Sequence, residues 1–262
     1  MRGAVRLDTL LVDRGLAASR ERARALILAG SVRVNGHPVT KAGAPVRRDD
    51  DVTVATADHP YVSRGGVKLA HALGTFGIEA AQRTALDIGA STGGFTDVLL
   101  QRGAAHVVAI DVGHGQLAWS LRNDPRVTVR ERTNVRDLSG DAVDPPADVC
   151  VADLSFISLR TVVPNLLVLT APGATFVLLV KPQYEAGRAR LGKGGVVRDP
   201  AVHDAVLREV VAGLDARGLG VAELAPSPLR GADGNVEFFV RARREPATVQ
   251  SGEITRVVAE AQ

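Results

Sequence analysis

The stretch from Leu86 to Leu100, LDIGASTGGFTDVLL, constrains the fold of this chain more than any other segment. Apolar residues lead into a turn with three glycines within six residues, and apolar residues then continue at helical spacing. This pattern predicts a strand, a glycine-rich turn and a helix, because glycine adopts left-handed backbone angles freely and lets a ligand approach the backbone. The next apolar run, residues 106–110, ends in Asp111. An acid about 20 residues beyond such a turn is the position that contacts ribose hydroxyls in nucleotide-binding α/β folds, so the segment predicts a ligand containing a nucleoside.

The spacing of the glycines distinguishes two kinds of nucleoside ligand. The dinucleotide fingerprint G-x-G-x-x-G has a glycine at its third position, where this chain has Ser91. A turn that does not have to cradle a pyrophosphate suits S-adenosylmethionine (SAM) better than a nicotinamide dinucleotide. Taken alone, so short a motif is also compatible with a plain connection between strand and helix.

The rest of the chain predicts an α/β sheet domain. At 262 residues there is room for one full α/β domain and one small module. Apolar strands and helices alternate after Asp111, which is typical of a parallel doubly wound sheet. Two strands end in Asp153 and Lys181, and because ligands bind at the carboxyl ends of such strands, both are expected beside the glycine turn. The last two strands, 220–224 and 236–240, predict an antiparallel hairpin at the sheet edge, with Glu237 on its second strand.

The amino-terminal fifth carries the whole basic excess of the chain. Residues 1–57 contain ten Arg or Lys against six Asp or Glu, a net charge of +4, and the remaining residues have 22 against 23, a net of −1. So small an excess is also compatible with a solvated basic face that has no partner. The segment LLVDRGLAASRERARALILAGSVRVNG with a closing DDDVTV nevertheless resembles the S4 RNA-binding domain over about 50 residues. The resemblance implies a small α+β domain that binds RNA through Arg6, Arg20 and Lys41. Arg64, in the segment that follows the domain, is also expected to bind RNA.

Four charged residues, Lys68, Asp153, Lys181 and Glu237, match the Lys-Asp-Lys-Glu set of RNA ribose 2′-O-methyltransferases of the FtsJ/RrmJ type. Each of them alone could be an ordinary surface charge. Across nearly the whole length, the chain resembles the TlyA family, in which an S4 domain precedes such a methyltransferase. The motifs that carry this resemblance are VSRGGVKL, LDIGASTGGFTDVLL, QLAWSLRNDPRV, ADLSFISL, LVKPQYEAG and GNVEFF. It implies SAM-dependent methylation of cytidine 2′-hydroxyls in small- or large-subunit ribosomal RNA, and a Rossmann-like sheet, mostly parallel with an antiparallel edge hairpin.

The resemblance also suggests roles for the four charged residues. A ribose 2′-hydroxyl is a weak nucleophile, so a base must take its proton while the oxygen is aligned with the methyl group. Lys181 is expected to be this base, with Lys68 close enough to lower its pKa and stabilise the alkoxide. Asp153 and Glu237 are expected to orient the two amines. The predicted cofactor residues are the backbone of Gly89, Ala90, Ser91, Thr92, Gly93 and Gly94 for the methionine part, Asp111 for the ribose, and Asn134 and Asp137 near the adenine.

Several function classes are disfavoured. A single cysteine, Cys150, cannot form an internal disulfide and fits a reducing, cytoplasmic compartment. The six histidines have no metal-ligand spacing, so no metal is expected. The uncharged run 161–180 contains two prolines and is interpreted as buried helix and sheet, not as a membrane span.

The sequence leaves two rival functions and a set of domain boundaries to test. A nicotinamide-dependent oxidoreductase would need the middle glycine of the dinucleotide fingerprint, which this chain lacks. That function would also leave the S4-like domain unexplained. The other rival is a ribosome-binding or haemolysin-like protein with an inactive methyltransferase fold, since some relatives of the family are called haemolysins. The predicted boundaries are 1–57 for the S4-like domain, 58–66 for a linker, 67–245 for the methyltransferase domain and 246–262 for a tail.

Overall fold

A computed structural model describes residues 4–17, 19–28, 30–54, 59–231 and 233–262, apart from the side chain of Lys193. The amino-terminal part consists of two helices packed on short strands, with Leu7, Leu10 and Ile27 buried between them. Its elements are β1 (Val5–Arg6), α1 (Leu7–Asp13), α2 (Arg20–Leu28), β2 (Val32–Val34), β3 (His37–Pro38), β4 (Pro45–Val46) and β5 (Val52–Val54). The second helix was expected to reach Ala29, which lies outside the described residues.

The rest of the chain forms one seven-stranded sheet with helices on both faces. The strand order is β8-β7-β6-β9-β10-β12-β11, and only β12 runs antiparallel to its neighbours. This confirms the predicted Rossmann-like sheet with its antiparallel edge hairpin. The elements are α3 (Arg64–Thr75), β6 (Thr84–Ile88), α4 (Gly94–Gln101), β7 (His106–Ile110), α5 (Trp119–Arg122), β8 (Val127–Arg130), β9 (Ala147–Ala152), α6 (Leu159–Val168), β10 (Thr170–Val180), α7 (Pro182–Glu185), α8 (Pro200–Asp215), β11 (Gly220–Pro226), β12 (Phe238–Arg243) and α9 (Ser251–Glu260).

The central strands are mostly apolar because helices cover both faces of the sheet. Residues 149–152 of β9 and 176–180 of β10 are buried, and Cys150 is completely buried among them. Their side chains alternate between two hydrophobic clusters, one on each face. The sheet is therefore a rigid base from which the loops at the carboxyl ends of the strands project.

Helix α3 begins at Arg64 and so includes the last three residues of the predicted linker, 64–66. The paired glycines of this segment are packing residues of a helix and do not form a turn. A Cβ added at Gly66 would lie 2.3 Å from Tyr61 Cβ, and one added at Gly94 would lie 2.7 Å from the backbone nitrogen of Gly66. The first turns of α3 and α4 therefore meet at a distance that only glycine allows, and this contact starts the helix early. The other predicted domain boundaries stay predictions.

The predicted carboxyl-terminal tail contains helix α9, which packs against α8 and β11. Ile254, Val257 and Val258 of this helix are buried in the main hydrophobic cluster. Gln250 and Glu253 form a reciprocal capping box at its first turn, a signal that the sequence carries as Q-x-x-E. Among the described residues, no helix is both long and apolar enough to cross a bilayer.

Candidate active site

The glycine turn connects β6 to α4 and adopts backbone angles that require glycine at two positions. Gly89 has a φ of +81°, and a Cβ there would lie 2.4 Å from the carbonyl oxygen of Asp153. Gly93 has a φ of +96°, and a Cβ there would lie 2.3 Å from Leu121 Cδ1. The turn is therefore packed against the end of β9 on one side and the α5 segment on the other. The strand, turn and helix predicted from the sequence are confirmed.

Asp111, at the carboxyl end of β7, lies beside this turn. Its two carboxylate oxygens accept hydrogen bonds from the backbone N–H groups of Ser91 at 2.8 Å and Gly113 at 2.6 Å. Ser91 has a φ of +48°, and its hydroxyl donates to Gln116 at 3.2 Å. These contacts fix Asp111 at the rim of a small cavity. The residues lining this cavity include Ala90, Ser91, Asp111, Gln116, Val129 and Glu131.

The segment after β8 lies next to Asp111. The Thr133 N–H donates to the Asp111 carbonyl at 3.0 Å, and the Asn134 side chain caps the short helix over residues 135–137. Asp137 is exposed at the end of that helix. Asn134 is therefore one residue from the Asp111 contact, and its side chain is already used as a helix cap. The assignment of Asn134 and Asp137 to an adenine stays a prediction.

Two acids near the turn were not singled out in the sequence analysis. Asp87, in the middle of β6, is completely buried, and burial raises its pKa to about 7. The Thr96 hydroxyl donates to its Oδ2 at 2.6 Å, and its Oδ1 is buried without a hydrogen-bond partner. Glu131 follows β8, where the Gly115 N–H and then the Arg122 guanidinium lower its pKa to about 2. A single charge inside an otherwise apolar strand was the sequence signal for Asp87.

The four charged residues predicted to be catalytic form two ion pairs. Lys68 Nζ lies 2.5 Å from Glu237 Oε2, and the side chains are 11% and 3% exposed. Lys181 Nζ is paired with Asp153 Oδ1 and donates to Ser155 Oγ at 3.2 Å. Each amine therefore has its own carboxylate. The predicted orienting role of the two acids stays a prediction.

The register of the sheet places the two ion pairs side by side. Val180 of β10 pairs with Phe238 of β12, so one step further Lys181 lies opposite Glu237, which immediately precedes β12. Directly opposite residues of antiparallel strands have Cα atoms about 4.5–5.5 Å apart. On the other side, the Asp153 N–H donates to the Ile88 carbonyl at 2.9 Å, beside the glycine turn. The turn and the charged residues thus occupy one edge of the sheet.

Two aromatic residues follow Asp153 and Lys181 in the chain, and their rings contact each other. Phe156, three residues after Asp153, is 89% exposed and has a φ of +65°. Its ring centroid lies 5.1 Å from that of Tyr184, which follows Lys181. Buried Glu185 joins the two loops, since it accepts hydrogen bonds from the Ser158 hydroxyl and the Leu159 N–H at the start of α6. No local pattern in the sequence marks these residues as functional, although they fall within the family motifs ADLSFISL and LVKPQYEAG.

Two of the residues predicted to contact RNA share one buried acid. Arg6, Arg20 and Arg24 surround the carboxylate of Asp8, which is completely buried, and the Arg6 guanidinium holds its pKa well below its usual range. The three arginine side chains remain about half exposed, at 51%, 55% and 55%. We call this set the Asp8 arginine cluster; it presents fixed guanidinium groups on the surface.

The two other predicted RNA contacts lie outside this cluster. Lys41 is exposed in the amino-terminal part. Arg64, at the start of α3, is exposed and donates to the Arg230 carbonyl at 3.2 Å. Nothing in their contacts tests the predicted role, which stays a prediction.

The arrangement as a whole suits a nucleoside ligand and a proton transfer. A glycine turn after a strand and a fixed carboxylate at the end of the next strand are features of sites that hold the ribose of a nucleoside. Two amines paired with carboxylates can accept and stabilise charge at the adjacent edge. In the described part of the chain, no group of three or more His, Cys, Asp or Glu side chains is placed to hold a metal ion.

Comparison with protein families identifies two matches in the chain. Residues 61–244 match the model of a family described as FtsJ-like methyltransferase. Residues 5–52 match the model of the S4 domain. The two matches lie in the same order as the domains predicted from the sequence.

Individual relatives cover almost the whole chain. The 16S/23S rRNA (cytidine-2′-O)-methyltransferase TlyA of Mycobacterium tuberculosis is 51% identical over 241 residues, which are 92% of this chain and 90% of the relative. YqxC of Bacillus subtilis, a proposed rRNA methyltransferase, is 46% identical over 262 residues, 98% of this chain and 93% of the relative. A solved structure of a proposed hemolysin from Streptococcus thermophilus has a TM-score of 0.79 at 39% identity and covers 100% of this chain and 96% of that one.

Proposed function

This chain belongs to the FtsJ-like methyltransferase family, and from that premise we propose that it is a SAM-dependent enzyme that methylates the ribose 2′-hydroxyl of cytidine in ribosomal RNA. The observation that carries the proposal is the pairing of Lys68 with Glu237 and of Lys181 with Asp153 at the sheet edge that also bears the glycine turn. Two relatives that are named as rRNA methyltransferases align with this chain over nearly its whole length. The proposal places the protein in the cytoplasm, where ribosomal RNA is modified.

The cofactor residues of the proposal are those around the glycine turn. SAM supplies a methyl group on a positively charged sulfur, from which it leaves readily. The backbone from Gly89 to Gly94 takes the methionine part, the role that the family resemblance implies for this turn, and its packing against Asp153 and Leu121 holds it in place. Asp111, already fixed by two backbone N–H groups, accepts hydrogen bonds from the ribose hydroxyls.

The charged residues of the proposal handle the proton of the 2′-hydroxyl. As the ribose oxygen forms its bond to the methyl carbon and the bond from that carbon to sulfur breaks, the proton of the 2′-hydroxyl passes to Lys181, the base of the proposal, and S-adenosylhomocysteine is the leaving group. The Asp153 carboxylate, which already contacts this amine, stabilises the ammonium that results. Glu237, which lies opposite Lys181 in the register of β10 and β12, holds the Lys68 ammonium. This ammonium supplies positive charge beside the developing alkoxide. Alignment of the two reactants would contribute much of the rate, about 7–11 kcal/mol of the barrier.

RNA binding is assigned to the S4 domain and to the rim of the active site. The Asp8 arginine cluster fixes guanidinium groups that can contact phosphates and set the register without reading sequence. Phe156 and Tyr184 present two rings beside Lys181, where the base of the target nucleotide can stack. A hemolysin name among the relatives is matched by no described feature that favours lysis, and we propose no second function.

The test is transfer of labelled methyl from SAM to isolated ribosomal subunits. We expect incorporation by the wild type and loss of at least 100-fold for Lys181→Ala, in the range of about 10²–10⁴ that a general base supplies. Arg217→Ala, which removes an exposed cation on the loop after α8, is the matched control and should incorporate methyl normally. Binding of S-adenosylhomocysteine, measured by calorimetry, should be the same for all three proteins. Equal incorporation by Lys181→Ala and wild type would refute the assignment of the base.

A further inference from the structure

A cleft separates the S4 domain from the rim of the methyltransferase domain. It has a volume of about 880 Å³, within the roughly 300–1,000 Å³ of typical small-ligand sites. One wall is formed by α2 of the S4 domain and the other by the segment 115–122, which carries α5. Gln116 and Leu117 line both this cleft and the small cavity beside Asp111. The cleft therefore leads from the S4 domain toward the proposed cofactor site.

Trp119, the single tryptophan of the chain, lies in this cleft and is 67% exposed. Its backbone is held on both sides, because its N–H donates to Glu21 Oε1 at 2.5 Å and its carbonyl accepts from the Asn123 side chain at 2.7 Å. The neighbouring side chains Leu117 and Leu121 are buried against Gly93. The indole is thus an exposed ring on a fixed backbone, which is the arrangement of a stacking platform.

Three arginines and one glutamate are among the described residues that line the cleft. Arg22 Nη1 donates to the carbonyls of Tyr61 and Val62 at 2.8 and 2.9 Å, which ties the S4 domain to the segment before α3. Arg24 belongs to the Asp8 arginine cluster, and Arg122 is paired with Glu131 at 2.5 Å. Arg24 and Arg122 keep 55% and 36% of their side chains exposed.

We propose that this cleft binds an unpaired nucleotide of the RNA substrate, with its base stacked on Trp119 and its phosphates against Arg24 and Arg122. An exposed indole and fixed guanidinium groups that line one cleft have the chemistry of single-stranded RNA sites, in which bases stack and arginines follow the backbone. The cleft is also continuous with the Asp8 arginine cluster through Arg24. The inference rests on the proposed function, since it names where the same RNA is held outside the methylation site.

The single tryptophan makes the test direct, because base stacking quenches indole fluorescence. Wild-type protein is titrated with an RNA hairpin that carries a bulged nucleotide, with the same hairpin lacking the bulge, and with S-adenosylhomocysteine alone. We expect the bulged hairpin to quench Trp119 and to bind more tightly than the fully paired one. Quenching by S-adenosylhomocysteine alone, or equal quenching by both hairpins, would overturn the proposal.

Two variants complete the test with a labelled bulged hairpin and an anisotropy readout. Stacking is worth about 1–3 kcal/mol per base, so Trp119→Ala should raise the dissociation constant about 5- to 150-fold, whereas Trp119→Phe should keep most of the affinity. Unchanged affinity in Trp119→Ala, with an unfolding midpoint equal to that of the wild type, would overturn the proposal. Methyl transfer to ribosomal subunits by the wild type is measured in parallel. If methyl transfer occurs without quenching, only this inference fails, and if no methyl transfer occurs, the proposed function fails.

Discussion

Lys68 and Glu237 are 169 positions apart in the chain, yet the Lys68 ammonium lies 2.5 Å from the Glu237 carboxylate. Helix α3 brings the lysine to the site, and the residue before β12 brings the acid. The side chains of Glu237 and Lys68 are only 3% and 11% exposed, so neither charge is well solvated. A charge buried to this degree depends on its partner, and the pair therefore links the start of the methyltransferase domain to its last strand.

The first prediction concerns the stability of this pair. Glu237→Ala leaves the Lys68 ammonium buried without a counter-charge, and we expect the free energy of unfolding to fall by about 3–5 kcal/mol. The double variant Lys68→Met/Glu237→Leu removes both charges and should recover most of that loss, while methyl transfer stays absent. Urea unfolding followed by circular dichroism measures both effects. A single variant as stable as the wild type would show that water already solvates the pair.

The second prediction concerns Gly89. Gly89→Ala introduces a Cβ 2.4 Å from the Asp153 carbonyl at a φ of +81°, so Asp153 must move and the partner of Lys181 with it. We expect loss of both S-adenosylhomocysteine binding and methyl transfer. The control is Gly115→Ala, where φ is +69° and no atom lies within 4 Å of the added Cβ, so only about 1–2 kcal/mol of backbone strain is expected. Calorimetric titration of both variants with S-adenosylhomocysteine distinguishes the effect of the collision from that of backbone strain. Equal loss of affinity in Gly89→Ala and Gly115→Ala would contradict the expectation.

The third prediction concerns the pH dependence that Asp87 imposes. Burial raises its pKa to about 7, whereas an unfolded chain titrates near about 3.9. Between these pH values the unfolded chain releases the proton while the folded protein keeps it, so the free energy of unfolding falls as the pH rises from about 4 to about 7 and then levels off.

Asparagine at position 87 does not titrate and can still accept the hydrogen bond from Thr96. Relative to the wild type, Asp87→Asn should therefore gain stability across this window, by at most about 4 kcal/mol. Guanidinium unfolding of both proteins at several pH values measures the difference. If the free energies of unfolding of the two proteins changed in parallel with pH, Asp87 would have an ordinary pKa in the folded state.

The fourth prediction concerns the Asp8 arginine cluster. Arg20 lies 3.6 Å from Asp8 and is 55% exposed, so it can contact phosphate without leaving its partner. Arg20→Ala should weaken RNA binding at every salt concentration and reduce the slope of log K against log salt by about one ion. Arg256→Ala, which removes an exposed arginine paired with Glu260 on α9, should leave the slope unchanged. Filter binding at several salt concentrations is the measurement, and S-adenosylhomocysteine affinity should not change in either variant.

The sequence predicted those parts of the site that local patterns determine. Asp111, Asp153 and Lys181 each follow an apolar run, and the carboxyl ends of parallel strands must share one edge of the sheet. The glycine turn was found because its spacing is a local property. Lys68 and Glu237 were found only through the family resemblance, because no periodicity relates a residue of α3 to one that precedes the last strand.

The parts that the sequence analysis missed depend on contacts between distant segments. Glu21 reaches the Trp119 backbone and Arg22 reaches Tyr61 across the boundary between the domains. Glycine pairs normally indicate turns, so the predicted linker includes Gly65 and Gly66, whereas in the structure both belong to α3 and Gly66 leaves no room for a side chain beside Tyr61. Helix α9 was missed, although the sequence contains its capping box, Gln250 and Glu253, and its apolar positions at helical spacing.

The contact between α3 and α4 through Gly66 and Gly94 has an evolutionary consequence. A Cβ at Gly94 would meet Ser63 Oγ at 2.3 Å, and one at Gly66 would meet the Tyr61 side chain, so neither position tolerates even alanine unless its neighbours change. Both sites carry functional residues a few positions away, on the helix of Lys68 and the turn of the cofactor site. A lineage that replaces Gly66 should therefore show a compensating change at residue 61, whereas Gly94 should stay glycine as long as the two helices meet, because its Cβ would also collide with the backbone nitrogen of Gly66.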